Sequence, residues 1–142
     1  MKRNIDPLKE VFVSNGANGS LSSFLMGLVN PRDECIIFEP TFPVYIDHLK
    51  IAGGTLKTVP LYVNKEKEWV FDPEALRSQM SKQTKLLILN TPHNPTGKCF
   101  NLKELEEITK ILDDYPECLV ISDEVYDSLT FDNQVHIPFS TI

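Results

Sequence analysis

Two rhythms of apolar and polar residues alternate along this chain. Cys35-Ile36-Ile37-Phe38, the stretch 85–89 and Cys118-Leu119-Val120-Ile121 are compact apolar runs of strand length, apolar on both sides. Further strands are expected over 11–14 and 55–59. Between these runs, Leu21, Phe24, Leu25 and Leu28 repeat at helical spacing, as do Leu105, Ile108, Ile111 and Leu112. A third helix is expected from about Val44 to Gly53-Gly54, where a glycine can take the left-handed cap position. Asn30-Pro31 ends the first helix, Asp72-Pro73 opens another, and Asn101 with Glu104 reads as a capping box. The stretch 62–69, rich in Lys and Glu, follows neither rhythm and is expected to be a surface loop. Apolar strands separated by helices predict an α/β fold with a mostly parallel sheet covered on both faces. Neither an internal repeat nor a low-complexity tract occurs.

Composition narrows this picture. At 142 residues the chain suits one domain, and 42% hydrophobic with 24% charged residues is ordinary globular usage. Fourteen basic residues against twenty acidic ones give a net charge of −6, which offers no electrostatic footprint for nucleic acid or an anionic membrane. No apolar run approaches the roughly 20 residues of a membrane span. Cys35, Cys99 and Cys118 are odd in number and far apart, so neither a disulfide framework nor a metal site is expected. After Met1-Lys2-Arg3 no apolar signal stretch follows, which points to the cytoplasm, or to the mitochondrion if the true N-terminus lies upstream.

In a parallel sheet ligands sit outside the carboxyl ends of the strands, so the residues just after each strand carry the chemical information. Gly16-Ala17-Asn18-Gly19-Ser20 leads into a helix, and backbone N–H groups there can approach an anion, although a tight turn alone would also call for glycine. Phe42, after Glu39-Pro40-Thr41, is either a core aromatic or a ring placed to stack on a planar ligand, with Tyr45 pointing the same way. Asn94 sits in the loop Asn90-Thr91-Pro92-His93-Asn94-Pro95-Thr96-Gly97, in which His93 reads as incidental. Asp123 ends an apolar strand with no arginine near it in sequence, so it needs a partner elsewhere or a ligand bearing a proton on nitrogen. Glu124 reads as solvated or structural.

Taken in order, Gly16-Ala17-Asn18-Gly19, Glu39-Pro40-Thr41-Phe42, Asn94-Pro95-Thr96-Gly97 and Asp123-Glu124-Val125-Tyr126 resemble the large domain of the fold-type I, pyridoxal-phosphate-dependent aminotransferases of class I/II. The resemblance runs from about Val11 to Ile142. The loop wording is most similar to the kynurenine aminotransferases, a group that overlaps glutamine transaminases and cysteine-conjugate β-lyases. It implies a three-layer α/β sandwich and pyridoxal 5'-phosphate as cofactor. It further implies that Asp123 pairs with the pyridine nitrogen, that Asn94 and Tyr126 bond the ring's phenolic oxygen, that Phe42 stacks on the ring, and that backbone N–H groups at Ala17 and Asn18 hold the phosphate. The implied reaction transfers an amino group from an L-amino acid to a 2-oxo acid, in a homodimer.

The resemblance also exposes departures. The family's Schiff-base lysine lies beyond the Asp-x-x-Tyr block, whereas the last lysine here is Lys110, and Lys98 has the wrong context. No catalytic residue is therefore assigned. Residues 1–142 are expected to be part of the cofactor-binding domain, without the N-terminal segment, the catalytic-lysine region or the small C-terminal domain. As an isolated piece the chain is expected to be poorly soluble. The alternatives are an inactive fragment that binds the cofactor without a covalent link, and a nucleotide-binding fold. The second fits poorly, since Gly16 and Gly19 do not complete a Gly-x-Gly-x-x-Gly turn.

Overall fold

The structure is a computed structural model that describes residues 4–142; the basic start at Met1-Lys2-Arg3 lies outside the described residues. In chain order the elements are α1 (Gly16–Leu28), β1 (Glu34–Glu39), α2 (Pro43–Ala52), β2 (Thr55–Val63), β3 (Trp69–Phe71), α3 (Pro73–Gln79), β4 (Thr84–Asn90), α4 (Leu102–Leu112) and β5 (Leu119–Asp123), before a 3-10 turn at Phe139–Thr141. The five strands form one sheet in the order β3-β2-β1-β4-β5. β2, β1, β4 and β5 run parallel, and β3 is antiparallel to β2.

Side-chain parity divides the core into two layers. Ile36 and Phe38 of β1, with Leu87 and Leu89 of β4, pack under α3 and α4 against Leu76, Leu105, Ile108 and Ile111. Cys35 and Ile37, with Leu86 and Ile88, pack on the opposite face against Leu21 and Leu25 of α1 and Tyr45 and Leu49 of α2. Helices on both faces of a mostly parallel sheet make the expected three-layer sandwich.

Local signals fix the helix ends. Asp72 accepts from the Glu74 N–H at 2.9 Å and Pro73 takes the first helical position. Asn101 and Glu104 form a reciprocal capping box, each bond 3.0 Å long. Gly53 closes α2 at φ 82°, a left-handed conformation that costs glycine nothing.

Three expectations are corrected. The stretch 11–14 forms no strand; Val11, Phe12 and Val13 are exposed, because β-propensity yields a strand only beside a ladder partner. The stretch 62–69 is not all loop: β2 continues to Val63 and Trp69 begins β3, so a hairpin turns over 64–68. β5 is shifted to Leu119–Asp123 and is the edge of the sheet, so Leu119 remains 42% exposed rather than buried on both sides.

Candidate cofactor site

The same parity that builds the core aims the chemistry. β4 and β5 pair Ile88 with Ile121 and Asn90 with Asp123, so the last two residues of these strands face the α1/α2 side, as Leu86 and Ile88 do. α1 precedes β1 and runs back along it, which brings the start of α1 to the strands' carboxyl ends. There a cavity of about 280 Å³ is lined by residues from four segments. Ala17, Asn18, Phe42, Asn94, Asp123 and Tyr126, singled out in the sequence, all line it, and Tyr45 and Asn90 complete its wall.

Asp123 has a protein partner that the sequence does not disclose. The Tyr45 hydroxyl donates to Asp123 Oδ2 at 2.5 Å, across 78 positions of sequence. Burial, and then this bond to a carboxylate, push the Tyr45 phenol well above its ordinary value, so it stays a neutral donor. Oδ1 accepts a longer bond from the Val125 N–H at 3.3 Å. A carboxylate has about four acceptor positions, so Asp123 keeps capacity for a further donor in the cavity. Phe42 meets the Tyr45 ring edge-on, centroids 5.6 Å apart at 89°. Tyr45 thus braces the carboxylate rather than joining Phe42 as a second stacking ring.

On the neighbouring wall the Asn94 amide reaches the Tyr126 hydroxyl at 3.5 Å, the outer limit of a hydrogen bond. An acceptor placed between them could draw both. Asn15, the residue before α1, makes no side-chain cap bond, and no acidic side chain occupies the first turn. The leading N–H groups of α1 and its positive dipole end therefore stand at the cavity, suited to an anion.

Several neighbours prove structural. His93 is 4% exposed, with Nδ1 2.9 Å from Thr96 Oγ1. Burial, helped by the Lys98 charge, pulls it down to about 4, so it is a neutral brace rather than an incidental loop residue. Lys98 does not reach this cavity. Its Nζ bonds Glu104 Oε1 at 2.6 Å and the Trp69 carbonyl at 2.7 Å, on the α4 side of the sheet. Glu124 accepts from Ser122 Oγ at 2.6 Å and from the Phe139 N–H at 3.0 Å, and meets His136 Nε2 at 2.9 Å. Burial pushes the Glu124 carboxyl up, but these partners together outweigh it and hold it below its ordinary value. Its role is to tie residues 136–139 to the end of β5.

The family of class I and II aminotransferases matches residues 2–141. Kynurenine–oxoglutarate transaminase 3 of Mus musculus is 38% identical over 148 residues, covering 99% of this chain and 32% of the relative. Kynurenine–oxoglutarate transaminase of Dictyostelium discoideum is 37% identical over 153 residues, covering 99% and 35%. Among solved structures, N-succinyldiaminopimelate aminotransferase of Mycobacterium tuberculosis superposes with a TM-score of 0.89 at 37% identity, over 95% of this chain and 35% of that one. The chain thus spans about a third of the length of the proteins it matches. With fold, motif order and a family match over residues 2–141 in agreement, the chain belongs to the class I and II aminotransferase family.

Proposed function

We propose that this chain forms the cofactor cradle of a pyridoxal-phosphate-dependent aminotransferase, and that the whole protein transfers the amino group of an L-amino acid to a 2-oxo acid. The observation that carries this reading is one cavity holding an aspartate, a stretched amide–hydroxyl pair, an aromatic ring and an uncapped helix start. These residues fit the cofactor group by group. Asp123, braced by Tyr45, offers an anionic acceptor to a protonated ring nitrogen. Asn94 and Tyr126 offer two donors to a phenolic oxygen. Phe42 offers a ring face, and Ala17 and Asn18 begin the helix whose N–H groups suit a phosphate. When bound, pyridoxal phosphate supplies an electron sink for the negative charge that develops on the substrate carbon.

The work of this chain is to hold and polarise. An ionised Asp123 keeps the ring nitrogen protonated, while Asn94 and Tyr126 fix the ring's rotation. Among the described residues no lysine lines the cavity, so the amine that links to the cofactor is proposed to lie outside residues 1–142. The kynurenine-type relatives support an amino-acid donor of that kind, and the whole protein is proposed to act as a homodimer in the cytoplasm.

The test is made on the whole native protein containing this sequence. Titration with pyridoxal phosphate should produce the visible absorbance of a bound cofactor, and amino transfer from kynurenine or glutamine to a 2-oxo acid should follow. Asp123→Ala should lower transamination by on the order of 100-fold or more, the scale of losing a preorganised electrostatic partner. Undiminished transfer in Asp123→Ala would remove that residue from the site.

A further inference from the structure

Asn90 is 3% exposed, and each end of its side-chain amide is engaged by a different functional segment. Its Oδ1 accepts from the Asn94 backbone N–H at 2.6 Å, and its Nδ2 donates to the Asp123 carbonyl at 2.9 Å. It stands opposite Asp123 in the β4–β5 register, where the ladder ends.

The loop it reaches is braced internally, and Lys98 ties it to Glu104 and the Trp69 carbonyl on the α4 side of the sheet. His93 N–H bonds the Lys98 carbonyl at 2.9 Å, Gly97 N–H bonds the His93 carbonyl at 2.7 Å, and His93 Nδ1 lies 2.9 Å from Thr96 Oγ1. Pro92 and Pro95 have no N–H to contribute. These bonds stiffen residues 93–98 as a unit, but none of them sets where that unit stands relative to β5. The Thr91 N–H ties the end of β4 to the Asp123 carbonyl at 3.0 Å, and the Asn90 side chain carries that tie on to the Asn94 backbone.

We propose that Asn90 is a positioning residue that fixes the separation between the Asn94 amide and the Asp123 carboxylate, and so the fit of the cavity to its cofactor. The inference rests on the pyridoxal phosphate reading above and adds a residue that touches neither the reaction nor, by its own hydrogen bonds, the cofactor. A rigid scaffold around the binding groups is what preserves productive geometry, and an unmade buried hydrogen bond loosens it.

The experiment compares Asn90→Ala, Asn94→Ala and the double variant in the whole native protein. Three quantities are read: pyridoxal phosphate dissociation, the pH dependence of the bound cofactor's visible absorbance, and hydrogen exchange of the Asn94 amide without cofactor. Asn90→Ala should weaken cofactor binding about tenfold and shift the absorbance profile in the direction of Asn94→Ala. In the Asn94→Ala background the same change should add little, because Asn90 acts by placing the Asn94 side-chain amide that this background lacks. Additive effects, or a lowered melting temperature with a wild-type absorbance profile and affinity, would overturn the inference. Asn90→Ser, polar but too short to span both partners, replaces Asn90→Ala if the latter does not fold. Amide exchange separates the two claims. A wild-type protein that binds no pyridoxal phosphate defeats the reading of the site. In that event faster Asn94 exchange in Asn90→Ser supports the positioning contact, and unchanged exchange overturns it.

Discussion

The two ends of one sheet bury polar groups in opposite ways. At the amino ends of β1 and β4, Glu34 faces inward partners: Lys57 Nζ at 2.8 Å, the Ser81 hydroxyl, and Thr84 Oγ1 at a long 3.4 Å. Lys57 also donates to the Gln79 carbonyl at 2.9 Å. Burial raises the Glu34 carboxyl, but Lys57, Ser81 and Thr84 outweigh it and hold it below its ordinary value of 4.5. The carboxyl ends carry as many polar groups and leave them unfinished. Asp123 retains open acceptor positions, Asn94 and Tyr126 meet at 3.5 Å, and α1 starts without a side-chain cap. Buried polarity marks both ends; incomplete hydrogen bonding marks the one proposed to bind the cofactor.

Acid should separate the ends most widely. His93, held to about 4 in the folded protein against an ordinary 6.5, sits beside Asn94 at the carboxyl end. Between those two values the unfolded chain takes up a proton that the folded chain refuses. Its contribution is therefore complete above pH 6.5 and lost as pH falls toward 4, on the order of 3 kcal/mol in all. Glu34 has the opposite chemistry. Its lowered value stabilises the fold above 4.5 and loses that effect only below it. Unfolding free energy measured from pH 7 to 4 should fall steadily in the wild type and flatten in His93→Gln. An unchanged slope in His93→Gln would place the acid sensitivity elsewhere.

Breaking the amino end should show the reverse pattern. Lys57→Met leaves the Glu34 carboxylate, whose side chain is 14% exposed, without its cation. Stranding a buried charge costs roughly 3–5 kcal/mol, and residual solvent access and the Ser81 bond reduce this to about 2. Denaturant unfolding should register the loss, while pyridoxal phosphate affinity stays at the wild-type value. A parallel fall in cofactor affinity would mean the two ends are coupled through β1 and β4.

The sequence was most legible where a signal is local. The Asn101 and Glu104 capping box, the Gly53 cap and the apolar runs of β1 and β4 follow from neighbouring residues. Structure that depends on distant partners was hidden. Val11, Phe12 and Val13 have strand propensity but no ladder beside them, and β5 is apolar yet lies at an edge. β3 is three residues long, too short to show a period. Among site residues, Asp123 betrayed itself as a carboxylate ending an apolar strand, while its bond to Tyr45 could not be read from either residue. Asn90 did leave a trace: it is an amide in phase with Leu86 and Ile88, on a strand otherwise buried in hydrocarbon. Parity alone could have placed it in the site wall.

Phe42 gives the finest test of what makes the carboxyl end different. It precedes α2 in extended conformation at φ −67° and ψ 117°, partly buried against the α1/α2 layer and lining the cavity. Little of the fold depends on it, since Leu21, Leu25, Tyr45 and Leu49 fill that layer behind it. Phe42→Ala should therefore lower stability by less than Lys57→Met does. It should weaken pyridoxal phosphate retention about tenfold, the combined loss of apolar contact and ring stacking. Phe42→Tyr, which keeps a ring, should restore most of the affinity, and Phe42→Leu, which keeps apolar area without a ring, should restore part of it. Equal affinities for the Leu and Tyr variants would make Phe42 an apolar wall and not a stacking surface. Wild-type affinity in Phe42→Ala would remove it from the site and leave the unfinished hydrogen bonds of Asp123, Asn94 and Tyr126 as the features that set this end apart.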